Sequence, residues 1–321
     1  MKITMFLPYA PDRRWHLASQ AGVTHAVVKL ASELTGRTPP WDYETLLEAQ
    51  NRFHSAGLVL YGLEGDQFDM SRIKLGLKGR EDDIVLYQEM IRNMGTLKIP
   101  LLCYNFMAGI GWYRTEHAAV TRGAARTTAF RIADLDLSDG RVLITREHLW
   151  QNYTWFLEKV LPVAEEVGVV LALHPDDPPL PFLGGYARIF CNADGFRKAL
   201  TLSSSPAHQI TFCQANFHLM GEDVPALIHE WSDRIAFYHF RDICGAADNF
   251  IETFHDDGQN NMVADLIALR QTGFSGPIRT DHAPFMAGEG ETADGYGMLG
   301  HIFALGYLKG ILASLDNQKD E

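Results

Sequence analysis

The sequence predicts an α/β chain folded as a single (β/α)8 barrel, and three observations carry the prediction. Eight short apolar or β-branched runs recur along the chain, nearly all followed by a stretch of helical periodicity. No linker, short repeat, low-complexity segment or shift in composition interrupts the 321 residues, so one barrel domain over 1–321 fits the pattern. Four late runs also stop at a residue type that binds metals: LALHPDDPP at His174, ITFCQ at Cys213, IAFYHFRD at His239, and GPIRTDHAP at Asp281, followed by His282. They lie about thirty to forty residues apart, the pitch of successive strand and helix units.

Lys2 to Leu7 reads as the first strand, and Arg13 to Ala21 as a short helix closed by Gly22. HAVVKL, His25 to Leu30, is β-branched and forms the second strand. After Pro39-Pro40, Tyr43 to Ala56 carries apolar residues at helical spacing, and LVLYGLE, Leu58 to Glu64, is the third strand. Ile84, Tyr87, Ile91 and Met94 mark a helix over Arg80 to Met94, ended by Gly95, before the fourth strand at Ile99 to Phe106. Periodicity then lapses from Met107 to about Arg146, a glycine- and arginine-bearing stretch too long for an ordinary connection. We read it as a lid or binding loop. His148 to Val167 is an amphipathic helix stopped by Gly168, and Val169 to His174 is the fifth strand. Ala193 to Leu202, Val224 to Glu230 and Met262 to Thr272 are the next helices; His208 to Gln214, Ile235 to Phe240 and Gly276 to Thr280 are the last strands. Leu299 to Leu315 closes the chain as a helix.

A formal net charge of -12, with no dense run of Lys or Arg, argues against nucleic acid as a partner. Cys103, Cys191, Cys213 and Cys244 form no CxxC pair and are too scattered for a disulfide framework, which fits a reducing cytoplasm. Pro8 and the Asp12-Arg13-Arg14 cluster cut short any secretory core, and no run of eighteen apolar residues predicts a membrane span. The expected partner is a small molecule, and the expected assembly a homo-oligomer.

Parallel barrel strands deliver their C-terminal ends to one face, the only face that gathers residues remote in sequence. His174, Cys213, His239 and Asp281 close four consecutive strands, so they can surround one ion. Two imidazoles, a thiolate and a carboxylate suit Mn, Fe, Co or Zn, with Zn first on ligand softness alone. Asp176 and Asp177 follow His174 and either orient it or cap the next segment. Arg114 and Arg241 carry guanidinium forks that suit a carboxylate. His282 faces away from Asp281 unless the strand end bends, and Tyr296 reaches in only from a turn between glycines. His255 with Asp256 and Asp257 makes a further polar cluster.

LCYNFM (Leu102 to Met107), WYRT (Trp112 to Thr115), LALHPDDPP, HFRD, PIRTDH and GYG together resemble the mannonate dehydratases of the xylose-isomerase-like barrel group. The resemblance runs from the fourth strand to the C-terminus. It implies a Mn-dependent loss of water from a sugar acid, D-mannonate or a close relative, giving a 2-keto-3-deoxy acid. It further implies metal ligands at His174, Cys213, His239 and Asp281 and an acid/base pair at His282 and Tyr296. It turns the preferred ion from Zn2+ to Mn2+, with Fe2+ and Co2+ as other candidates. Substrate contacts are expected at Asn105, Arg114, Asp176, Arg241 and His255.

The chain departs from that family in carrying Cys213-Gln214-Ala215-Asn216 for Cys-Thr-Gly-Ser and Arg279-Thr280-Asp281-His282-Ala283 for Arg-Pro-Asp-His-Gly. Leu7-Pro8-Tyr9 replaces a Trp-Tyr-Gly turn, and a helical insertion after WYRT is shortened. Two rival readings follow: a sugar isomerase or epimerase of the same barrel group, whose glutamate ligands are not matched here, and a non-catalytic sugar-acid-binding paralogue.

Overall fold

The computed structural model describes residues 1–135, 142–289 and 295–317. Its barrel strands are Lys2–Phe6, His25–Val28, Val59–Glu64, Leu101–Tyr104, Val170–Leu173, His208–Cys213, Ile235–Phe240 and Pro277–Thr280. Each runs parallel to its neighbours, and pairing of Lys2 with Pro277 joins the first strand to the eighth and closes the barrel. The (β/α)8 architecture read from the sequence is the one observed, with those element ends within two residues of their expected positions.

Helices Tyr43–Ser55, Arg80–Thr96, Arg146–Val167, Ala193–Thr201, Val224–Glu230, Met262–Gln271 and Met298–Asn317 wrap the strands. Most starts are set by local chemistry. Side chains of Asp42, Thr145, Asn192, Asp223 and Asn261 accept hydrogen bonds from first-turn N–H groups that have no partner within the helix. The Arg146–Val167 helix ends at Gly168 with φ 71°, a left-handed conformation that costs glycine little. An apolar cluster including Phe53, Phe156, Phe212 and Leu266 fills the space between strands and helices. A smaller cluster, Val27, Leu101, Cys103, Ala172 and Phe237, is drawn from strand residues alone.

The last helix differs from expectation in one respect. Met298–Asp316 is long and apolar enough to cross a membrane, with mean hydropathy 1.4, although no unbroken run of eighteen apolar residues occurs. Here Ala304, Leu305 and Leu308 are buried, and the helix packs beside the eighth strand and the Met262–Gln271 helix.

The stretch from 107 to 146 contains two strands that the sequence did not reveal, Glu116–Val120 and Arg126–Arg131. Residues 136–141 of it lie outside the described residues. The two strands join Ile243–Ala246 and Asn249–Glu252 in a four-stranded antiparallel sheet. Phe130 of this sheet packs with Leu180, Ala215, Ile243 and Phe250, so the sheet has an apolar core of its own.

Candidate functional site

Register explains why distant side chains meet. Cys213 pairs with His239, and His239 pairs with Arg279, so in neighbouring parallel strands these three project to the same side. Asp281 lies two residues beyond Arg279 and His174 follows the end of the fifth strand. One ligand atom from each of His174, Cys213, His239 and Asp281 lies within 4.8 Å of the others.

Their environment suits a cation. His174 directs Nδ1 at the Pro175 carbonyl, 2.7 Å away, and burial lowers its pKa to about 4, so the ring is neutral with Nε2 as its remaining donor. Cys213 is fully buried, which pushes its thiol up to about 12, while Arg241 Nη1 at 3.7 Å pulls the other way and favours the thiolate. Burial alone would raise Asp281, but Arg279 and the imidazoles of His282 and His239 hold it well below the ordinary carboxylate value. Its Oδ1 accepts from the His282 amide at 3.0 Å, leaving Oδ2 facing His239 Nδ1 at 3.4 Å and Cys213 Sγ at 3.9 Å.

His239 shows the fit most directly. Arg279 Nε donates to its Nε2 at 3.2 Å, and the buried Nδ1 has no hydrogen-bond partner among the described residues. Nδ1 therefore points into the cluster, 3.4 Å from Asp281 Oδ2, while Glu64 Oε1 lies 3.9 Å from Nε2 on the far side of the ring. Glu64, Cys103 and His239 make a second close group. The guanidinium of Arg279 already bridges Glu64 and His239 there, which leaves no place for a second cation.

A cavity of about 320 Å³ opens at this end of the barrel, lined by Lys29, Glu64, Asn105, Trp112, His174, Asp177, Asp281, His282 and Tyr296 among others. A larger groove of about 540 Å³ lies far from these residues, beside Leu157, Glu165 and Ser203, and gathers no comparable set. His282 enters the cavity because the strand stops at Thr280 and His282 takes φ 41°, the bend needed to bring two consecutive side chains to one side. Its ring stacks on Trp112, with centroids 5.4 Å apart and planes at 6°, and lies 5.1 Å from the Tyr296 ring. Gly295 makes room for it: a Cβ there would sit 2.4 Å from His282 Nδ1. Burial lowers the His282 pKa, and burial raises the Tyr296 phenol well above its ordinary value.

Of the expected substrate contacts, Asn105 lines the cavity, where its Oδ1 accepts from Lys74 Nζ and the Met107 amide. The other four are placed differently. Asp176 is buried beneath the loop and accepts from the Phe190 amide at 2.7 Å; its neighbour Asp177 is the one at the cavity. His255 is fully buried, with Nε2 held 2.8 Å from the Phe240 carbonyl, and does not line the cavity. Arg114 and Arg241 are buried in a ring of alternating charge. Arg114 binds Asp177 and Glu252 at 2.7 Å each, and Arg241 binds the same two acids at 2.8 and 2.6 Å. Their forks hold protein carboxylates, so neither is available as a clamp for a substrate carboxylate. Sequence reading had missed Glu64, Lys29, Trp112 and Arg279, all of which line the cavity.

Comparison with known proteins finds relatives along nearly the whole chain. The family model described as D-mannonate dehydratase matches residues 5–146 and 141–321. The mannonate dehydratase of Shouchella clausii is 31% identical, with 90% of each chain covered. Mannonate dehydratase 1 of Bacillus licheniformis is 30% identical over 96% of each. The crystal structure of mannonate dehydratase from Streptococcus suis superposes with a TM-score of 0.88 at 28% identity, covering 97% of this chain and 93% of that one. With nearly its whole length matched, and its barrel shared with a solved member, the chain belongs to the D-mannonate dehydratase family.

Proposed function

We propose that the protein is a hydro-lyase that removes water from D-mannonate to give a 2-keto-3-deoxy sugar acid, with Mn2+ held by His174, Cys213, His239 and Asp281. The observation that carries this reading is the meeting of four ligand atoms within 4.8 Å beside a cavity that also holds His282 and Tyr296. A divalent ion supplies Lewis-acid polarisation and offsets the negative charge that builds beside a carboxylate when its α-proton leaves. The side chains supply the proton traffic. His282, neutral because burial disfavours its cation, takes the proton from C2. Tyr296 keeps its phenolic proton because burial raises its pKa, so it donates to the departing C3 hydroxyl. Trp112 and Met107 of the 107–146 stretch line the cavity, which supports assigning that stretch as the cover that keeps water out.

The test is to strip the purified protein of metal, restore Mn2+, Fe2+, Co2+ or Zn2+ in turn, and incubate with D-mannonate and a panel of other aldonic and uronic acids. A 2-keto acid formed fastest from D-mannonate with Mn2+ is expected, and Cys213→Ser should lose both metal and turnover. An isomeric sugar with no 2-keto acid would indicate an epimerase. Stoichiometric metal with no turnover of any acid in the panel would reject the dehydratase reading.

A further inference from the structure

We infer that Trp112 is a positioning residue that fixes the ring plane of His282 by stacking, in place of the hydrogen bond that ordinarily orients a proton-transferring imidazole. The inference rests on the reading of His282 as a proton-transfer group.

A histidine that moves protons is usually aimed by a hydrogen bond to one ring nitrogen, commonly from a carboxylate or a carbonyl. His282 lacks that device. Its Nδ1 has no hydrogen-bond partner among the described residues, and its Nε2 lies 3.6 Å from Asp281 Oδ1, beyond hydrogen-bond reach. Two bonds, Cα–Cβ and Cβ–Cγ, would leave the ring free to turn were its faces not confined. Trp112 supplies the confinement, its ring plane within 6° of parallel and the centroids 5.4 Å apart.

Trp112 is held in turn. The Arg114 guanidinium lies 4.7 Å over the Trp112 ring, and Arg114 is fixed by Asp177 and Glu252 in the fully buried ring of charges. A chain of contacts thus runs from the loop after the fifth strand, through Arg114 and Trp112, to His282. The short stretch that carries WYRT places a rigid aromatic surface against the base. Trp112 Nε1 is buried without a hydrogen-bond partner among the described residues, so the experiment must separate the alternative role, a hydrogen bond to substrate.

The experiment is steady-state kinetics on Trp112→Ala, Trp112→Phe, His282→Asn and the double variant Trp112→Ala/His282→Asn, each loaded with Mn2+ and checked for metal content. A misaimed base should cost Trp112→Ala about tenfold to a hundredfold in kcat with KM little changed, the scale of a small displacement of a reacting group. Trp112→Phe keeps a stacking face and should recover most of the loss. In the His282→Asn background the alanine change should add nothing, since there is no longer a base to aim. A raised KM with normal kcat would make Trp112 a substrate contact and overturn the inference. So would equal losses in the phenylalanine and alanine variants, or a full further loss in the His282→Asn background. Normal turnover of His282→Asn itself would instead reject the acid/base assignment.

Discussion

Consecutive side chains in an extended strand point to opposite faces, so Asp281 and His282 serve one cavity only because the chain turns between them. The turn puts a histidine at φ 41°, a conformation worth on the order of 1–3 kcal/mol of local strain, held by the bond from the His282 amide to Asp281 Oδ1 and by the stack on Trp112. Tyr296 meets the His282 ring from the turn that carries Gly295. Tyr296→Phe removes a single oxygen and leaves the ring packed on Phe6 and His282. Turnover should fall roughly a hundred- to ten-thousand-fold with metal content unchanged, measured as 2-keto acid release against bound Mn2+. Near-normal turnover would return Tyr296 to the role of a packing residue. Much of this site was legible from the chain because the four ligand candidates share one rule, an apolar run that stops at Asp, His or Cys. Glu64 obeys the same geometry at the end of the third strand, but glutamate lay outside that rule and so it was passed over. The two arginines misled for another reason: charge reads directly from sequence, whereas neutralisation by a partner does not. Glu252 is 138 residues from Arg114.

At the scale of elements, the antiparallel sheet is the feature the sequence concealed. Arg126–Arg131 shows no alternation of buried and exposed positions, since residues 127 to 130 are all buried, so the period of two that betrays a half-buried strand is missing there. The strands that complete the sheet, Ile243–Ala246 and Asn249–Glu252, lie more than a hundred residues downstream. The barrel strands, by contrast, alternate with helices of clear periodicity and carry their own caps, and each could be read locally. Besides the apolar packing of Phe130 on Leu180 and Ala215, the buried ring of Arg114, Asp177, Arg241 and Glu252 ties the sheet to the barrel. Removing one member strands an uncompensated charge away from water, and Glu252→Gln should therefore cost about 3–5 kcal/mol of unfolding free energy. Urea titration of the metal-loaded protein measures it. A change within error would show that the ring contributes nothing to holding the sheet.

For the whole molecule, buried imidazoles weaken the fold in mild acid, and they outnumber the buried carboxyls that act the other way, among them Glu64, raised to about 7, and Asp242, raised to about 6. Burial lowers His208 and His255 to about 4 and His301 to about 3, against 6.5 for an ordinary histidine. Between these values the unfolded chain binds protons that the folded chain refuses. The stability these rings contribute is complete above 6.5 and is lost as pH falls from there toward about 4. Unfolding free energy should accordingly fall on acidification through that window, and His208→Gln should make the fall shallower. Stability that held constant or rose on acidification would contradict it. A different property follows from the ring of charges. Asp177 and Arg241 come from loops at the barrel's mouth, while Arg114 and Glu252 come with the sheet, and each pair already contains one positive and one negative member. Neither half therefore needs the other for neutrality; what the pairing settles is orientation, because any other docking of the sheet sets like charges face to face. The four residues act as a keyed joint, and drift at one of them is tolerable only when its opposite number changes in the same lineage. A change of sign on the sheet side of this joint therefore calls for a matching change on the barrel side.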